Sequence, residues 1–75
     1  MTDREWTQRA DLLIQDAEEE AVTPQGRIRA AITILRVADA AADRVMASQP
    51  RHGREQARLI QEFLRRAQVQ LAEFQ

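Results

Sequence analysis

Thr23-Pro24-Gln25-Gly26-Arg27-Ile28-Arg29-Ala30-Ala31-Ile32-Thr33-Ile34-Leu35-Arg36-Val37-Ala38-Asp39-Ala40-Ala41-Ala42-Asp43-Arg44-Val45-Met46 is the stretch on which the fold turns. It opens with a capping hydroxyl and a proline at the first helical position, where the missing N–H would have no partner anyway. Ile28, Ala31, Leu35, Ala38, Ala42 and Val45 then recur at steps of three and four, flanked by Ile32 and Met46. That is the stripe of an amphipathic helix, and no strand alternation competes with it. Nothing interrupts the pattern before Pro50, so the spacing predicts a helix over about 24–48, about 37 Å long at 1.5 Å per residue.

Working outward, proline and glycine occur only at Pro24/Gly26 and Pro50/Gly53, which cuts the 75-residue chain into three similar pieces. The first begins Thr2-Asp3-Arg4-Glu5, a capping-box pattern that starts a helix at Asp3 and carries it to about residue 21. Its apolar stripe is Trp6, Ala10, Leu13, Ala17 and Ala21, with Ile14 beside it. The third piece, about 53–74, repeats Ile60, Leu64, Ala67, Leu71 and Phe74, widened by Leu59 and Phe63. Two short connections make neighbouring helices antiparallel. The expected fold is therefore all-α, a single domain over 1–75 built as an up-down-up three-helix bundle.

Composition narrows the function classes. Apolar residues make up 44% of the chain and charged residues 31%, too apolar for a disordered tail. No apolar run is long enough to span a membrane, and no leader pattern is visible, so membrane insertion is not expected. The absence of cysteine excludes disulfides and thiolate metal sites and makes a reducing, cytoplasmic setting the default. Eleven basic against twelve acidic residues give a net charge of −1, and the two signs are interleaved, which argues against a nucleic-acid binder. All eleven basic residues are arginine. The lone His52 and Ser48 assemble no nucleophile–base pair with any acid, so no enzyme, cofactor or metal site is expected. The Arg51-His52-Gly53-Arg54 turn with Arg58 matches no anion-loop spacing and reads as an ordinary polar turn.

The charge distribution bears on topology. Helix 1 carries a net −5 through Ala21, and residues 22–49 and 50–75 carry +2 each. Glu18, Glu19 and Glu20 oppose the macrodipole at the end of helix 1, while Arg27 and Arg29 oppose it at the start of helix 2. Antiparallel packing brings these ends together, and the same logic pairs Asp3 and Glu5 with Arg51 and Arg54. Glu5–Arg9 and Glu62–Arg66 are spaced for pairs within a helix.

Helix 2 is more apolar than a three-helix bundle requires. Ala30, Ile34, Val37 and Ala41 form a second row, and the apolar arc spans about 220° at 100° per residue. In one reading helix 2 is central and touches a neighbour with each row. In the other, Ala30, Ile34, Val37 and Ala41 line an exposed groove with Leu59 and Phe63. That groove would take a peptide or helix of a protein partner, or a second copy in a homodimer.

The layout resembles the microtubule-interacting-and-trafficking (MIT) domain. The family's Gly-x-aromatic-x-x-Ala-aliphatic-x-x-aromatic run reads Gly26, Ile28, Ala31, Ile32 and Leu35 here. Helix 1 supplies Ala10, Leu13 and Ala17, and helix 3 supplies Phe63-Leu64-Arg65-Arg66-Ala67. The acid that commonly follows Arg-Ala is Gln68. The resemblance implies a non-enzymatic adaptor module whose helix 3, through Phe63, Leu64 and Ala67, helps read short tail motifs in a groove.

Overall fold

The computed structural model describes residues 2–47 and 53–74. Three helices, α1 (Asp3–Glu19), α2 (Pro24–Ala47) and α3 (Gly53–Leu71), are followed by a 3-10 turn at Ala72–Phe74. Among the described residues there is no strand, and the arrangement is an all-α three-helix bundle. Ser48, Pro50, Arg51 and His52, named above, lie outside the described residues.

Local chemistry sets the helix starts. The Thr2 hydroxyl accepts the Glu5 N–H at 3.2 Å, and the Thr23 hydroxyl accepts the Gly26 N–H at 2.9 Å. Gly26 sits inside the first turn of α2, where a Cβ would meet the Glu20 carbonyl oxygen at 2.7 Å. The glycine therefore lets α1 and α2 close on one another through a short connection. α1 ends at Glu19, two residues short of expectation; the Glu20 N–H donates to the Asp16 carbonyl and the Ala21 N–H to the Glu18 carbonyl, and the Val22 N–H donates to the Glu20 carbonyl in a tight turn.

Ala10, Ile14, Ile34, Ala38, Ala41, Phe63 and Ala67 form the buried core, with Trp6, Val37, Leu59 and Ile60 packed against it. Among the described residues, only Phe63, Ile14 and Ile34 are large side chains that are wholly buried. α2 is the central helix; it packs extensively on α3 and less on α1. α1 and α3 meet mainly through side chains, above all Arg66. Its guanidinium donates to Asp11 at 2.6 Å and to both oxygens of Glu18 at 2.5 and 3.1 Å. The Glu18 hydrogen bond, ahead of Asp11 and against a desolvation cost, raises the Arg66 pKa further, so the guanidinium of this clamp stays protonated.

The ion pairs correct the expected pairing. Arg66 takes two carboxylates across the bundle in place of Glu62, which pairs with Arg65. Asp3 pairs with Arg44 at 2.7 Å and accepts from Gln56 at 3.4 Å, and Arg27 pairs with Glu73. These contacts fix antiparallel registers: Asp3 against Arg44 for α1/α2, and Arg27 against Glu73 for α2/α3.

The molecule measures 40 × 24 × 14 Å. Helices packed as a close triangle at 8–10 Å spacing would be nearly as wide as thick. The excess width reflects a splay between α1 and α3.

Candidate functional site

The apolar arc of α2 is divided differently from either sequence reading. Ala30, Ile34 and Ala41 are buried, Val37 is half-buried, and Leu59 and Phe63 pack in or against the core. The expected docking row is thus corrected: most of it is interior. Its physical reason lies at the centre of the arc. Ile34, Ala38 and Ala41 point between the two neighbours, and the alanines let both approach closely, so the centre is covered and one edge is left over.

That edge carries the large side chains of the row expected to be core, whose alanines Ala31 and Ala38 are buried as expected. Ile28, Ile32 and Leu35 retain 42%, 44% and 42% of their exposure, and Leu64 on α3 retains 40%. At 100° per residue Leu35 lies about 100° round from Ile34, whereas Val37, which faces α1, lies about 60° round on the opposite side. Counting inward equally from the Arg27–Glu73 pair sets Leu35 level with Arg65, one residue from Leu64. Four branched aliphatic side chains therefore share one face of the α2/α3 pair, on the side away from α1.

Two recesses flank α1. A groove of about 420 Å³ between α1 and α2 is lined by Trp6, Arg9, Ala10, Leu13, Thr33, Arg36, Val37 and Ala40. A cavity of about 620 Å³ lies where α1 and α3 splay, lined by Ala41 and Leu59 beside Trp6, Asp3, Arg44 and Gln56. Trp6 walls both, held by the Arg44 guanidinium 5.1 Å from its ring centroid. Of the residues expected to bind a partner, Val37 lines the groove, Ala41 and Leu59 line the cavity, and Ala30, Ile34 and Phe63 line neither. Sequence reasoning missed Leu13 as an exposed residue, because its spacing with Trp6 and Ala10 is that of a core stripe.

Among the described residues, no group of three His, Cys, Asp or Glu side chains is placed to hold a metal ion. No helix there is long and apolar enough to cross a membrane. Set against protein-family models, curated proteins and solved structures, the chain matches none.

Proposed function

We propose that the protein is a non-enzymatic interaction module that docks an amphipathic helix of a protein partner on the open α2/α3 face. The observation that carries this reading is the set Ile28, Ile32, Leu35 and Leu64, aliphatic and each about two-fifths exposed. A fourth helix laid there would complete a bundle in the helix-in-groove manner. The accessible surface adds support. It is 5771 Å², against about 4,700 Å² for a compact monomer of 8.6 kDa. The excess, about 1,000 Å², is comparable to the roughly 800 Å² that each partner contributes to a standard interface. The MIT-like run also favours it, since Ile28, Ile32 and Leu35 of that run are the ones left exposed.

A symmetric dimer through the same face is the second reading. It is favoured by rows seven residues apart on both helices, Ile28/Leu35 and Leu64/Leu71, a spacing that two copies can interleave. Sedimentation velocity across a wide concentration range separates the two: a monomer throughout leaves the face to another protein. Leu35→Glu is expected to keep the helical circular-dichroism signal and abolish association in either case. Unchanged binding or dimerisation by a folded Leu35→Glu chain removes the α2/α3 face from the function.

A further inference from the structure

The groove between α1 and α2 stands on residues separate from the face just described. Its floor is apolar and shallow: Ala10 and Ala40 are small, Trp6 and Val37 form the sides, and Leu13 is 56% exposed. Small residues at the base let a helix approach to the usual 8–10 Å interaxial distance. Arg9 from α1 and Arg36 from α2 flank it, and the Asp3–Arg44 register sets them about level on opposite walls.

The charges point to the occupant. Arg27, Arg44, Arg65 and Arg66 are all engaged in ion pairs within the molecule. Arg9 and Arg36, like Arg4, Arg29, Arg54 and Arg58, make no hydrogen bond or ion pair among the described residues, and they are the two arginines that line this groove. No carboxylate lines this groove, although the adjoining recess toward the first hinge carries Glu20 together with Arg29. Two free guanidiniums facing across an apolar floor match a ligand with carboxylates on both edges of an apolar stripe. Arginine's planar fork grips carboxylates in two-point contacts.

We infer that the α1/α2 groove is a second docking site, and that it takes an acidic amphipathic helix of another protein, its apolar stripe on Leu13 and Val37 and its carboxylates on Arg9 and Arg36.

The test uses the full chain and a fluorescein-labelled helical peptide with leucines at i, i+4 and i+7 flanked by glutamates, read by anisotropy. Its analogue carries glutamine at every glutamate. The glutamate peptide is expected to bind about tenfold more tightly than the analogue, the preference disappearing at high salt. The exposed double substitution Arg9→Gln/Arg36→Gln should erase that preference while keeping the circular-dichroism spectrum. Leu13→Asp should abolish binding of both peptides, and Leu35→Glu should leave it intact. Equal affinity for the two peptides overturns the inference, as does the absence of saturable binding. Loss of binding in Leu35→Glu but not in Leu13→Asp places the peptide on the α2/α3 face and overturns it too. Concentration-dependent sedimentation that Leu13→Asp abolishes would make the occupant a second copy of this chain, which also excludes the assignment.

Discussion

Ile34 and Leu35 are neighbours in sequence and near equals in hydrophobicity, yet one is wholly buried and the other is 42% exposed. Ile34→Ala is expected to cost about 2–5 kcal/mol, the range for emptying a closed aliphatic site, and Leu35→Ala only about 1 kcal/mol. Urea denaturation of the two variants measures the difference, and comparable losses would mean the α2 face is misassigned. Gly26→Ala tests a different constraint. Alanine favours helix interiors by about 1 kcal/mol, but here its Cβ meets the Glu20 carbonyl, so the expected outcome is a net loss of about 1–3 kcal/mol. Arg66→Ala leaves Asp11 and Glu18 facing each other without their shared cation. A loss of about 1–3 kcal/mol is expected, and Arg66→Lys should recover only part of it, because a point charge cannot serve both carboxylates. None of this selectivity is visible in a periodic pattern. The spacing offers Glu62 to Arg66, and only the packed bundle brings Asp11 and Glu18 nearer.

At the scale of the elements, the caps were legible because they are local. Thr2 and Thr23 lie within a few residues of the groups they satisfy, so no knowledge of the rest of the chain is needed. Thr23→Ala is expected to cost about 1 kcal/mol in the same denaturation assay. Charges at helix ends were legible in sign and misjudged in partner. Of the acidic run, Glu18 is bound by Arg66, while Glu19 remains exposed at the last residue of α1 against the macrodipole. Glu19→Arg should therefore stabilise the chain by about 0.3–1 kcal/mol, the screened value at an exposed helix terminus. A decrease in stability would show that Glu19 serves α1 in some other way. What the sequence could not supply was the rotation of each helix about its own axis. An apolar arc wider than two neighbours can cover leaves several rotations nearly equivalent by hydrophobicity alone. The packed bundle settles it with close approach over Ala30, Ala31, Ala38 and Ala41, all of them buried.

Across the whole molecule, α2 is shared by two companions that do not close fully on each other. Arg66 ties α1 to α3 toward one end with two carboxylates, and at the other, where the cavity opens, the Gln56–Asp3 hydrogen bond at 3.4 Å links them. The width of 24 Å against a thickness of 14 Å and the large surface are two expressions of that splay. The three-helix architecture follows from two breaks and one period, and is legible from sequence. The open α2/α3 face is legible only as a surplus, since the count of apolar rows says that one must stay uncovered without saying which.

The alanine-lined interior has a calorimetric consequence. Melting such a core hydrates few large side chains that were dry before, and Ile28, Ile32, Leu35 and Leu64 are already partly wet. The heat-capacity increment should fall below the usual value of about 12–15 cal/mol/K per residue. The stability curve is then shallow, changing little between refrigerator and body temperature, and the endotherm is broad. Occupation of the open face would sharpen that endotherm and raise the increment, since the partner's departure would expose the same aliphatic side chains to water.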